Sequence, residues 1–241
     1  MTSSKSGSMA FDTQKMLLSD NSPFSVQEAY KTLRTNVSFS LPGSDCKSIG
    51  IVSATRGDGK STIALNLAIS LAQINKKIIL VDCDMRLPTI ASKLGCQSTP
   101  GLSNYLSGDC KDIPIVHVDD KGIDIIPSGN IPPDSTTLIA SLQMRQLVDS
   151  LKKEYEYIVF DFPPINIVSD AVMMSDVVDG YLLVIRHNRS EYQMVAETIR
   201  QMRFADAKVL GFVYNGKNND KKYYRYKGSY YRYGYYYRKK S

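Results

Sequence analysis

Ala54-Thr55-Arg56-Gly57-Asp58-Gly59-Lys60-Ser61 is the stretch that decides the fold. The apolar run Ser48–Ser53 before it reads as a buried strand, and Ser61–Gln73 behind it reads as a helix. Gly57 and Gly59 permit a tight turn whose amides face an anion. Lys60 reaches toward β- and γ-phosphates, the Ser61 hydroxyl suits Mg²⁺, and the positive end of the helix points the same way. Ala54 replaces the glycine that usually opens such a loop. With Thr55, Arg56, Asp58 and Thr62 completing the cradle, the stretch predicts a strand–loop–helix site for the phosphates of a nucleotide and Mg²⁺.

Outward from the loop, short apolar runs recur at Lys77–Val81, Ile123–Ile126, Tyr157–Phe160, Gly180–Ile185 and Val209–Tyr214. Between them lie helical stretches at Leu102–Leu106, Thr136–Lys153, Asp170–Ser175 and Glu191–Arg203. This alternation predicts an α/β fold of the P-loop NTPase kind: a mostly parallel central sheet with helices on both faces. Ligands in such sheets bind beyond the carboxyl ends of the strands. Two of those ends carry acid, Asp82 with Asp84 and then Asp161. A carboxylate at a buried strand tip is costly without a cation, so Ser61, Asp82 and Asp161 are candidate metal ligands. Lys60, Asp82, Asp84 and Asp161 form the candidate catalytic set, and either early Asp could instead serve as general base. Asn215 ends the last strand, where ATPases that this pattern resembles often contact the adenine, and is a candidate for that role.

The 241 residues carry a formal net charge of +6, unevenly spread. From Gly216 onward there are nine Lys/Arg against one acidic residue, and the remainder is near neutral. The chain therefore divides into a Ser-rich mobile arm (1–22), a nucleotide-binding body (23–216) and a basic low-complexity tail (217–241). In the first helix, starting at Pro23 with Ser22 as cap, Val26, Ala29, Tyr30, Leu33 and Val37 fall on one stripe. The tail holds Tyr223, Tyr224, Tyr226, Tyr230, Tyr231, Tyr233, Tyr235, Tyr236 and Tyr237. So many phenols on a charged, glycine-interrupted tether cannot build a core, and they are candidate phosphate acceptors. About 25 flexible residues have an r.m.s. span of about 25–30 Å, enough to cross to an adjacent subunit. Each phosphotyrosine adds about −1.5 to −2, so about five would cancel the tail's charge and reverse its electrostatic preference. The four cysteines form no C-x-x-C pair and read as reduced thiols. No apolar run is long enough to span a bilayer and no signal peptide is visible.

The phosphate loop, the apolar-then-D-x-D segment ending Asp82-Cys83-Asp84 and the apolar segment ending in Asp161 together resemble the bacterial tyrosine kinases of capsule and exopolysaccharide operons. Further segments resemble the same family: Glu28-Ala29-Tyr30-Lys31-Thr32-Leu33-Arg34, Asp84-Met85-Arg86-Leu87-Pro88, Pro127-Ser128-Gly129, Asp161-Phe162-Pro163-Pro164 and Asp170-Ala171. The resemblance runs from about Ser25 to Asn215, and the tyrosine-rich end continues it. It implies autophosphorylation of the tail tyrosines in trans. It implies a homo-oligomeric ring built through Glu28, Lys31 and Arg34, with Lys31 standing where the family has Arg. It also implies a transmembrane adaptor that recruits a cytoplasmic chain to the inner face of the plasma membrane, and a cognate tyrosine phosphatase. Sequence-specific nucleic acid is not an expected partner.

Two other functions compete. Nucleotide switches of the MinD/ParA kind share the scaffold, but they carry a second Lys early in the loop, where this chain has Thr55. A non-catalytic module binding nucleic acid or an adaptor would have no need of Lys60, Asp82 and Asp161 together.

Overall fold

The computed structural model describes residues 16–43, 45–167 and 169–216. All nine tail tyrosines and most of the Ser-rich arm lie outside the described residues. The helices are α1 (Phe24–Ser40), α2 (Lys60–Ala72), α3 (Ile90–Leu94), α4 (Leu102–Leu106), α5 (Ser135–Ile139), α6 (Leu142–Glu154) and α7 (Tyr192–Phe204). The strands are β1 (Lys47–Ser53), β2 (Ile78–Asp82), β3 (Val116–Val118), β4 (Ile123–Ile126), β5 (Tyr157–Asp161), β6 (Gly180–Arg186) and β7 (Val209–Asn215). They form one sheet in the order β3-β4-β2-β5-β1-β6-β7. Every pairing is parallel except β3 with β4.

The continuous apolar runs of β1, β2 and β5 are buried because the sheet is covered on both faces. One core joins α6 (Met144, Leu147, Val148, Leu151) to Phe160, Phe162, Tyr181 and Met202. The other joins α2 to Ile49, Ile51, Leu80 and Val159, with Val37 of α1 above it. Because α2 lies between the sheet and α1, it is buried on nearly every side. The crossovers place the carboxyl ends of β1, β2, β5, β6 and β7 along one rim, where all the loops of interest emerge.

Several boundaries differ from the sequence reading, each for a local reason. The expected helix over 136–153 is two helices, because Ser141 turns extended (φ −69°, ψ 156°) and its hydroxyl accepts from the Met144 amide at 3.1 Å. Asp134 caps the preceding helix in the same manner, accepting from the Thr137 amide. The stretch 170–175 holds only a 3₁₀ turn at Val172–Met174. β3 and α3 are too short to show a period. Ser22 does not cap α1. Its hydroxyl accepts from the Ser19 amide, and Pro23 takes the cap position without a side-chain bond. Residues 1–22 are not all a mobile arm: Leu17 and Leu18 are buried in the α2 core, and the Asn66 side chain both accepts from the Leu18 amide and donates to the Met16 carbonyl. Only Val37 of the expected α1 stripe is buried, while Val26 and Leu33 line an open groove against β7.

Candidate active site

The loop between β1 and α2 has the conformation its glycines allow. Gly57 (φ 81°) and Gly59 (φ 96°) both sit in the left-handed region, where a side chain is disfavoured. Gly59 caps α2 with no side-chain acceptor, so the first amides of the helix remain free for an anion. Asp58 is fully buried and staples the loop to itself. One carboxylate oxygen accepts from the Thr55 amide and hydroxyl at 3.2 and 3.1 Å, and the other accepts from the Ser190 hydroxyl at 3.1 Å. Thr55 and Asp58 therefore shape the cradle, whereas Arg56, Gly57, Gly59, Lys60, Ser61 and Thr62 line its cavity of about 330 Å³.

The sheet brings the three acidic strand-end residues to Lys60. In the parallel register Asp82 pairs directly with Asp161, one strand from the loop. The Lys60 ammonium contacts Asp84 Oδ2 at 2.7 Å and lies 3.7 Å from Asp161 Oδ1. Burial alone would depress that ammonium, but the charges of Asp161, Asp84 and Asp82 outweigh it and hold the proton more firmly than usual. Burial, then the facing charge of Asp161, pushes Asp82 well above the ordinary carboxylate range. Burial raises Asp161 too, against the pull of Lys60.

The three acids are not equivalent. Asp82 is fully buried and spent on the backbone, accepting from the amides of Asp84 (3.2 Å) and Ile90 (3.3 Å). Asp84 lines the cavity and accepts from Lys60 and the Leu87 amide. Asp161 is fully buried, and neither of its oxygens has a hydrogen-bond partner. The Ser61 hydroxyl stands beside it without closing a bond. An unspent pair of hard oxygens next to a hydroxyl fits a divalent cation. Among the described residues, no group of three His, Cys, Asp or Glu side chains makes a metal cage by itself.

Asn215 reaches the loop from β7, donating to the Asp58 carbonyl at 2.8 Å, and it borders the groove of about 720 Å³ between α1 and β7. Glu28, Lys31 and Arg34 lie together on α1, away from the cradle. Lys31 bonds Glu28 at 2.8 Å, and Arg34 donates to the Ser70 carbonyl of α2 at 2.5 Å. Sequence reasoning missed Lys93 and Thr89 of the cavity wall, which depend on the unseen α3, and it missed Arg189. Arg186, closing β6, lines the same cavity. That residue donates to the Gly57 carbonyl at 2.6 Å.

The AAA domain family matches residues 46–204. Tyrosine-protein kinase YwqD of Bacillus subtilis (strain 168) is 36% identical over 195 residues, spanning 80% of this chain and 82% of that protein. Tyrosine-protein kinase CpsD of Streptococcus agalactiae serotype III (strain NEM316) is 35% identical over 195 residues, spanning 80% and 83%. The crystal structure of the chimerical protein CapA2B2 superposes with a TM-score of 0.77 at 33% identity, covering 85% of this chain and 90% of that one. A phosphate loop, the acids gathered on its lysine and these likenesses along most of the sequence agree: the chain belongs to the bacterial tyrosine-protein kinase family, built on an AAA-type P-loop domain.

Proposed function

We propose that this chain is an ATP-dependent protein-tyrosine kinase of capsular or exopolysaccharide synthesis, and that it phosphorylates the C-terminal tyrosines of a neighbouring copy. The observation that carries the reading is the Lys60–Asp84 contact in the cavity wall. A lysine held by an acid that also faces the cavity can exchange that acid for a phosphate. The exchange leaves the Asp84 carboxylate free to accept a proton. The phenolic oxygen of an incoming tyrosine then attacks the γ-phosphorus, the bond to the β–γ bridging oxygen breaks and ADP leaves. The phenolic proton passes to Asp84. Lys60 and the amides after Gly57 and Gly59 neutralise the charge that develops on the phosphates. Ser61 and Asp161, with Asp82 behind, would hold Mg²⁺, which supplies further charge neutralisation when bound. Asn215 would meet the adenine at the edge of the α1/β7 groove.

Around this core the reading includes a ring assembled through Glu28, Lys31 and Arg34. It includes a transmembrane adaptor that brings the chain to the membrane, and a phosphatase that resets the tail. Among the described residues no helix is long and apolar enough to cross a membrane. The test combines the full chain, Mg-ATP and a candidate adaptor tail, and locates phosphate by mass spectrometry. Phosphate on Tyr223–Tyr237 is expected, and it is lost in Lys60→Met and Asp82→Ala. Truncation after Asn215 should retain ATP binding and lose most acceptors. If the assembled complex releases only inorganic phosphate and leaves the tyrosines unmodified, the kinase reading fails and a nucleotide switch replaces it.

A further inference from the structure

Three consecutive carbonyls of the phosphate loop are each held by a different side chain arriving from β6, β7 and the turn after β6. Arg189 Nη2 donates to the Arg56 carbonyl at 3.1 Å. Arg186 Nη1 donates to the Gly57 carbonyl at 2.6 Å, and Asn215 Nδ2 to the Asp58 carbonyl at 2.8 Å. In a trans peptide the carbonyl and the following N–H point in opposite directions. Drawing the carbonyls of residues 56, 57 and 58 outward therefore turns the amides of Gly57, Asp58 and Gly59 the other way. Successive amides turned to one side make an anion-binding nest.

The fit between loop and donors is close. A Cβ added at Gly57 would lie 2.6 Å from Arg189 Nη2, and one at Gly59 would lie 2.1 Å from Asn215 Nδ2. The donors are themselves held in place. Asn188 takes a left-handed conformation (φ 53°) that turns the chain between the two arginines, and the Ser190 hydroxyl ties Asp58 to the Arg186 amide. Both arginines are exposed, Arg186 on the wall of the phosphate cavity, so the protein's own packing does not require them.

We infer that Arg186 and Arg189, with Asn215, are positioning residues that orient the phosphate-binding amides, and that the arginines act by donor geometry rather than by charge alone. The inference rests on the nucleotide reading of this loop but not on the identity of the phosphate acceptor. Failure of one is therefore distinguishable from failure of the other.

The test measures equilibrium binding of ATP and of inorganic tripolyphosphate to the full chain. It compares the parent with Arg186→Ala/Arg189→Ala and with Arg186→Lys/Arg189→Lys, and each protein's thermal unfolding is recorded. In the alanine pair, both ligands should weaken by the same factor, about tenfold or more, with unfolding unchanged. The lysine pair keeps the charge without the planar fork and should recover only part of the loss. A loss confined to ATP would move the arginines to the nucleoside end and overturn the inference. So would full recovery by lysine, which would leave charge as the whole effect, or unchanged affinity in the alanine pair. If the alanine pair unfolds early, the lysine pair decides alone: parental affinity for tripolyphosphate refutes the geometric role, and reduced affinity sustains it.

Discussion

The two sides of the phosphate loop solve opposite problems. Toward β2 and β5, the chain buries Asp82, Asp84 and Asp161 around Lys60. Toward β6 and β7, it sets Arg186 and Arg189 in solvent and spends them on backbone carbonyls. Charges act strongly on a reacting phosphate only where water is excluded, so the first side must be buried and tolerate its own repulsion. The second side needs only donors in the right directions, and these work at an exposed rim. The carboxylate side thus holds the chemistry, whereas the arginine side holds the shape of the loop. Substitutions on the two sides should separate turnover from affinity.

The largest effect belongs to the carboxylate side. Lys60→Met should reduce phosphate incorporation by at least about 10³-fold, since it removes the cation aimed at the charge that develops in transfer. In Arg189→Ala the loss should fall on KM for ATP, with kcat changed far less. Steady-state kinetics of the two variants side by side would break the comparison if kcat fell equally in both.

Next comes the packing behind each side. Phe162 follows Asp161 directly, is fully buried, and lies 5.7 Å from the Phe160 ring and 6.2 Å from Tyr181. Phe162→Ala should cost about 3–5 kcal/mol in urea unfolding. Arg189→Ala should shift the same curve by no more than about 0.5 kcal/mol. A large stability loss in the arginine variant would mean that its side of the loop is architecture after all.

A smaller effect joins the two sides. Gly57→Ala places a methyl against the Arg189 guanidinium and asks alanine for a left-handed φ, which costs about 1–2 kcal/mol. Combined with Arg189→Ala, the steric part of that cost disappears while the conformational part remains. The double-variant loss in ATP affinity should therefore be less than the sum of the two single losses. Strict additivity, read by titration calorimetry, would show that the arginine does not press on the glycine.

Legibility in the sequence follows the same contrast. The loop and the three acids were legible, and with them a ligand rim, because an acid that closes an apolar run is costly unless a cation meets it. Asp82 ends Ile78–Val81 in this way and Asp161 ends Tyr157–Phe160. Arg189 was not legible, since an exposed arginine in Arg186-His187-Asn188-Arg189 looks like any solvated turn until the fold carries it to residue 56. Lys93 and Thr89 escaped because five-residue α3 has no period to detect. Leu17 and Leu18 escaped because their partner, Asn66, is a polar residue buried inside an apolar helix, and nothing local to the arm announces it.

The smallest effect tests whether exposed charge elsewhere also acts without stabilising its own fold. Lys31 and Glu28 pair at 2.8 Å on α1, with side chains 48% and 37% exposed. An ion pair three residues apart on an open helix face contributes about 0.2–0.5 kcal/mol, so Glu28→Ala should leave the unfolding midpoint of the isolated chain nearly unchanged. Arg34 differs, because its guanidinium is committed to the Ser70 carbonyl within the same chain. If α1 builds a ring, Glu28→Ala lowers the assembled mass in analytical ultracentrifugation at constant chain stability, whereas Arg34→Ala lowers both. Equal loss of mass and stability in the two variants would place Glu28 in the fold of its own subunit, and the distinction between residues that shape and residues that act would not extend beyond the nucleotide loop.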